Sequence, residues 1–309
     1  MNNGIKQAMH TIEIPEELSK RSKLGISQAK QEQKKGKRVK GLGIAVALFV
    51  SIGTFTLLNN PTTNHSPTPI VTEEGAVHLP AITLPEENSV ADMIGLIVYN
   101  GNIYTQTRTE IDVEAIEGLI GEKLGITKGT IDEWSKQEAY DEEFASTIGV
   151  ADVYSVNGYD KEFRIMTYRE QDGEMHAEFY EHLNGITIKS GEDIFGKLKL
   201  KGNIASAYYR TFNDWDNDMD HHQPITDMDT VTTFVTELYH AKPLSRTEES
   251  DPIGHSRSDE QFRELSLKLN DGTIVRLTLL KGGYIYYGFM NAYFKMEEDD
   301  FSKLWATLN

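Results

Sequence analysis

Three groups of side chains have the types and spacing to do chemistry. Asp214, Asp216, Asp218 and Asp220 alternate and run directly into His221 and His222. A calcium loop opens in this way, because a hard cation collects carboxylate oxygens from alternating positions. It also needs Gly at its sixth position and Glu at its twelfth, where this chain has Met219 and Ile225. The residues favour a solvated acidic loop, with a non-standard cation site as the alternative. His176, Glu178, Tyr180 and His182 fall on one face of an expected strand, since side chains alternate there. His176 and Glu178 are close enough to share a metal. His176 and His182 would stand about 20 Å apart on an extended strand, too far for one ion. The other face carries Met175, Ala177, Phe179 and Leu183, interrupted by Glu181, so the simpler reading is a core face backed by a water face. Gly254-His255-Ser256-Arg257-Ser258 approaches the nucleophile elbow but lacks its last Gly. The preceding residues do not form the buried strand that such an elbow needs. No phosphate loop, HExxH or dinucleotide fingerprint is present. The sequence therefore assigns no catalytic, cofactor-binding or metal residue, and predicts neither an enzyme nor a cofactor.

The elements that would position these groups begin with a hairpin, Met93–Tyr99 and Ile103–Arg108 about the turn Asn100-Gly101-Asn102. A helix is expected from Asp112 as N-cap, with Val113, Ile116, Ile120 and Leu124 on one face and Gly125 as its stop. A shorter helix is expected over Ile131–Gln137. Strands follow at Ala151–Val156, Glu162–Tyr168, Met175–Leu183, Ile186–Lys189, Ile194–Leu200 and Ile204–Thr211, then an irregular acidic break over Asn213–Thr226. Asp227–Ala241 has a helical apolar face of Val231, Phe234, Val235 and Leu238, with a loop from there to about Ser258. A meander of Gln261–Leu269, Thr273–Leu280 and Tyr284–Asn291 precedes a closing helix, Glu297–Leu308, that buries Phe301, Leu304, Trp305 and Leu308. Strands in runs with helices beside them mean α+β. Residues 90–309 form this domain, with a division into subdomains 90–215 and 225–309 left open.

Charge divides the chain more sharply than secondary structure does. Of the 309 residues, the first 40 hold ten Lys or Arg against four acids and so carry +6, while the rest carry −23. Such asymmetry suggests two compartments, and the acidic part lacks the basic surface that nucleic acid requires. There is no cysteine, which excludes disulfides, thiol catalysis and Cys-ligated zinc. Between the two parts, Gly41–Leu58 reads GLGIAVALFVSIGTFTLL, with no ionisable side chain. Eighteen helical residues rise about 27 Å, close to the ~30 Å hydrocarbon core of a bilayer. Lys34, Lys35, Lys37, Arg38 and Lys40 abut the run, and the next base is Arg108. The positive-inside rule then places the N-terminus in the cytoplasm and the C-terminal domain outside the cell membrane. A cleaved signal peptide fits less well, because about forty residues precede the run and no Ala-x-Ala-like site follows it. Residues 59–89 hold five of the nine prolines, among them Pro61, Pro67 and Pro69, and read as an extended spacer.

The tail, IEIPEELSKRSKLGISQAK over residues 12–30, is a marginal helix with few apolar anchors: Ile12, Ile14, Leu18 and Ile26. Physics alone favours a solvated flank touching anionic headgroups over a segment that folds on a partner. This tail, the Lys-rich patch and the single span together resemble the layout of Bacillus-type single-pass membrane anti-sigma-factor-like proteins, over residues 1–60. The resemblance implies a cytoplasmic sigma factor as partner of the tail, and an outer domain that senses the envelope through a ligand not identified by the sequence. The expectation is a regulatory or sensory single-pass membrane protein: tail 1–40, span 41–58, spacer 59–89 and outer domain 90–309. The alternative is an envelope binding module tethered by the same span, with no transcriptional role.

Overall fold

The computed structural model describes residues 68–83, 94–132, 135–171, 174–247, 251–252 and 256–308. The tail, the apolar run 41–58 and the first part of the spacer lie outside them. Among the described residues no helix is long and apolar enough to cross a membrane. The chain divides into Met1–Pro61 and Thr62–Asn309, and all the described residues belong to the second unit.

Along the chain come β1 (Ile70–Val71), β2 (Val77–His78), β3 (Leu96–Tyr99), β4 (Asn102–Gln106), β5 (Glu110–Ile111), β6 (Ile120–Ile126), β7 (Asp152–Val156), β8 (Arg164–Gln171), β9 (Glu174–Glu181) and β10 (Thr187–Ile188). They continue as β11 (Ile204–Thr211), β12 (Gln223–Ile225), β13 (Lys242–Ser245), β14 (Phe262–Leu269), β15 (Thr273–Leu280), β16 (Tyr284–Tyr287) and β17 (Ala292–Lys295). Neighbouring strands pair antiparallel. The six-stranded sheet has the order β3-β4-β9-β8-β7-β6, and the three-stranded sheet β1-β2-β10. The eight-stranded sheet runs β12-β11-β14-β15-β16-β17-β13, with β5 added beside β15. The fold is α+β, with sheet dominant.

The eight-stranded sheet packs its inner face, including Leu265, Leu267, Val275, Leu277, Ile285 and Phe294, on the helices Met228–Leu238 and Glu298–Trp305. Val231, Phe234, Val235 and Leu238 of the first helix are buried in that core, as are Phe301, Leu304 and Leu308, while Trp305 is only partly buried. The helix 228–238 starts where the Asp227 side chain accepts from the Thr230 N–H, an N-cap that satisfies one of the free first-turn donors. The hairpin β3–β4 turns on Asn100 and Gly101, both at positive φ (52° and 72°), the geometry of a type I′ turn.

Several expected elements differ. The helix expected from Asp112 is two short turns, Val113–Ala115 and Ile116–Leu119, and Ile120–Ile126 then becomes a strand. The Asp112 cap is present, accepting from the Glu114 N–H. Gly118, Gly121 and Gly125 explain the outcome, since each costs a helix about 1 kcal/mol relative to Ala, whereas on β6 the absence of a Cβ lets the backbone close on β7 and on Phe144. A Cβ at Gly121 would lie 2.9 Å from the Ser155 carbonyl oxygen, and one at Gly125 2.3 Å from the Phe144 ring. The strand expected over Ile194–Leu200 is a π-turn, Glu192–Gly196, followed by tight turns. Ile194, Phe195, Leu198 and Leu200 are all fully buried, a spacing that alternation partly imitates. The short helix appears at Gln137–Asp141, later than expected, β13 occupies a segment expected to be loop, and β17 lies between the expected last strand and the closing helix, where no element was expected.

Residues 68–83, read as spacer, instead form β1 and β2, and Val77 and Leu79 enter the main core. Strand pairing also runs across the acidic break near residue 220: β11 on one side pairs with β14 on the other from Ile204↔Leu269 to Thr211↔Arg263.

Candidate functional site

The residues singled out in the sequence do not converge. Asp214 is buried in the first turn of the short Phe212–Asp216 helix, where its N–H donates to the capping Thr211 hydroxyl, and its Oδ1 lies 3.1 Å from His221 Nδ1. Asp220 pairs separately with His222 at 2.8 Å, while Asp216 and Asp218 are exposed. Among the described residues no group of three or more His, Asp or Glu side chains is placed to hold a metal ion. On β9 the expected water face is corrected: Tyr180 is fully buried beside Ile97, Tyr104, Val153 and Ile165, and its hydroxyl donates to Glu178. The opposite face packs Phe179 with Leu119, Val156 and Met166. At this end of β9 both sides of the sheet are covered, whereas nearer its start Glu178 is exposed and His176 half-buried, as a water face requires. His182 is half-buried against the Tyr104 ring. Of the elbow-like segment, Gly254 and His255 lie outside the described residues, and Ser256 Oγ donates to the Pro252 carbonyl.

The structure instead gathers charge on the outer face of the eight-stranded sheet. Register sets Arg210, Glu264, Thr278 and Tyr286 opposite one another across β11, β14, β15 and β16, and Ser266 opposite Arg276 in the next row. Glu264 Oε1 accepts from Arg210 Nε at 2.8 Å and from Arg276 at 2.9 Å. The other arm of Arg276 donates to Glu110 at 2.7 Å. Arg210 also donates to the Met219 carbonyl, which ties the acidic loop down over this face.

Arg108 completes the group. Thr107 and Thr109 turn toward the Tyr287 hydroxyl, at 3.1 and 2.8 Å. The chain bends at Arg108, which turns its side chain away from Tyr287 toward Trp215 and Phe289, while Glu110 meets Arg276. The Arg108 guanidinium lies 5.8 Å from the Trp215 ring centroid and 5.7 Å from that of Phe289, within cation–π range. Trp215 is held by the acidic-loop helix and packs on Phe262 at 4.9 Å and Phe212 at 5.9 Å. Burial pushes the Arg108 guanidinium below its ordinary range, and Arg276 and Arg210 push the same way, while Tyr286 and Glu264 oppose them. No carboxylate among the described residues lies within ion-pair distance of Arg108. Two further donors on this face, Arg276 Nε and the Ser266 hydroxyl, are buried with no hydrogen-bond partner among the described residues.

Beside this group, Arg246 stacks near Tyr286 and pairs with Asp251 at 2.8 Å, and the Tyr293 hydroxyl donates to Asp251. Apart from that pair, the face sets the guanidinium groups of Arg108, Arg210 and Arg276 against the carboxylates of Glu110 and Glu264, walled by aromatic rings. Such a surface can hold an oxyanion through charge-assisted bonds.

In the sequence Arg108 stands out only as the first Lys or Arg after the basic flank at Lys34–Lys40. The meeting of Arg210, Glu264 and Arg276 depends on strand register, which is not visible there. Comparison of the chain with protein-family models, with curated proteins and with solved structures gave no match.

Proposed function

We propose that this chain is a single-pass membrane protein of regulatory or sensory type, with a basic cytoplasmic tail and its α+β unit outside the cell. The observation that carries this reading is the charge step across residues 41–58. An uncharged run of bilayer length has five bases at its N-terminal border and no further base until Arg108. The folded unit is compatible with the same arrangement, since the first strand among the described residues is at Ile70, twelve residues beyond Leu58.

In the regulatory reading the tail is the effector and binds a sigma factor, as its resemblance to anti-sigma-type proteins implies, while the outer unit takes the signal. Deleting residues 2–30 while keeping the basic flank and the run separates the two functional classes. A transducer changes the expression of a defined gene set when its tail is lost and its outer unit stays intact. The alternative, a tethered envelope binding module, leaves transcription unchanged. The arginine–aromatic face favours neither class over the other, because both need a ligand site outside.

A further inference from the structure

We propose that the outer face of the eight-stranded sheet binds a small carboxylate carrying a flat apolar body, with Arg108 as the residue that receives the carboxylate. This deepens the sensory reading, on which it rests for its biological role, by giving the outer ligand a chemistry.

Arg210 and Arg276 share one oxygen of Glu264, and Arg276 reaches Glu110 as well. Arg108 is left over, without a carboxylate among the described residues. A guanidinium stays charged even when part-buried, and taking a charge out of water is costly unless it is paired. In a protein with a net charge of −17 and 48 acidic residues, an arginine on this face with no acidic partner among the described residues is a specific arrangement. Among the described residues the guanidinium groups of Arg108, Arg210 and Arg276 face the carboxylates of Glu110 and Glu264, and a monoanion supplies the one further negative charge.

Exposure and shape narrow the ligand further. Arg108 is only partly covered and the Arg276 side chain is 16% exposed, whereas Arg210 and Glu264 are buried. The opening into the cluster is therefore at Arg108 and Arg276. A planar fork suits a carboxylate, which it can meet with two parallel hydrogen bonds. Arg276 Nε and the Ser266 hydroxyl, buried and without a hydrogen-bond partner among the described residues, lie on the same face on the paired strands β15 and β14. Trp215 and Phe289 flank the guanidinium, so the body attached to the carboxylate meets ring surface. A flat apolar group gains more there than a hydrated one.

The test is calorimetric titration of the full-length chain in nanodiscs with sodium benzoate, and with inorganic phosphate and sodium acetate in separate arms. The expected result is saturable benzoate binding, weaker binding of acetate, and at least a tenfold loss of benzoate affinity in R108Q. R108K, which keeps the charge but not the fork, should fall between wild type and R108Q. K201Q, at a side chain that lies over the Tyr239 ring beside the helix 228–238, should bind as wild type does. Thermal melts of each variant separate loss of binding from loss of fold, and W215A gives a second probe of the site should R108Q unfold. Absence of benzoate binding, or equal binding by R108Q and wild type, overturns the proposal. Binding of phosphate alone overturns the carboxylate assignment. None of these outcomes depends on which side of the membrane the unit occupies, so the site can fail while the topology stands, and the reverse.

Discussion

The hydroxyl of Tyr287, on β16 of the eight-stranded sheet, lies 2.8 and 2.7 Å from the two carboxylate oxygens of Glu181 on β9 of the six-stranded sheet. The same carboxylate receives Arg164 at 2.5 and 3.0 Å, and both charged side chains are fully buried. The Arg164 guanidinium is stacked between the Tyr159 and Phe179 rings, 4.4 and 4.5 Å from their centroids. Thr107 and Thr109 bond the same phenol. One polar knot therefore joins the two large sheets and fixes the segment that carries Arg108. Burial and the Glu181 charge push the Tyr287 hydroxyl well above its ordinary pKa, so it remains a donor.

Breaking this pair should be severe. E181Q leaves the Arg164 charge in the core without its counter-charge, a situation that costs about 3–5 kcal/mol. Urea denaturation should show that loss, and the double variant R164M/E181L should recover most of it, because an apolar pair of similar volume is tolerated. An E181Q midpoint within experimental error of wild type would mean that the knot contributes nothing to stability.

Y287F removes only the hydroxyl and keeps the ring, which packs edge-on to Phe195. Loss of a hydrogen bond to a charged acceptor should cost about 1.5–3 kcal/mol. The more informative consequence lies at Arg108. With Thr107 and Thr109 released, benzoate binding should weaken even though Tyr287 is on the other face of the sheet. Unchanged affinity in Y287F would show that the knot does not hold Arg108 in place.

Acidification gives a third check through His182. Burial lowers its imidazole below the ordinary value, with Lys197 acting in the same direction and backbone hydrogen bonds to Glu162 and Asn184 opposing. The unfolded chain then takes up this proton at higher pH than the folded chain does. Its contribution to stability is fully present above about pH 6.5 and declines as pH falls from there toward the lowered folded-state value. Melting temperature should drop through that window in wild type and drop less in H182Q. Equal slopes in the two proteins would place the pH dependence elsewhere.

Gly191 offers a steric check on the joint between the π-turn and the helix 228–238. A Cβ there would lie 1.9 Å from the Leu238 carbonyl oxygen, which is backbone and cannot swing aside. G191A should therefore destabilise by at least ~1–3 kcal/mol, as overpacking does. G118A, where an added Cβ meets nothing within 4 Å, should be nearly neutral. Similar melts for the two variants would contradict this packing.

Elements are legible in the sequence where one periodicity rules alone. Helix 228–238 has an N-cap, a single apolar face and a following Pro243, and all four of its expected core residues are buried. The stretch 113–126 misleads because Val113, Ile116, Ile120 and Leu124 fit a helix while three glycines oppose it. Two register irregularities in β6 also blur its strand alternation. At the end of β9 the pattern cannot show that both faces are covered, so Tyr180 reads as water-facing and Glu181 as an interruption of a core face. Glu181 fits there because Arg164, seventeen positions earlier, meets it across the β8–β9 register. The arginine–aromatic face is illegible for the same reason. Arg108, Arg210, Glu264 and Arg276 come from four separate segments, and only pairing brings them together.

The proposed topology is open to a clean assay because the chain has no cysteine. Single cysteines are introduced at Val150, which is 74% exposed in the folded unit, and at Ser22 in the tail, and intact cells are treated with a membrane-impermeant maleimide. The predicted result is labelling of V150C in intact cells and of S22C only after lysis. Labelling of S22C in intact cells, or of V150C only after lysis, would contradict it.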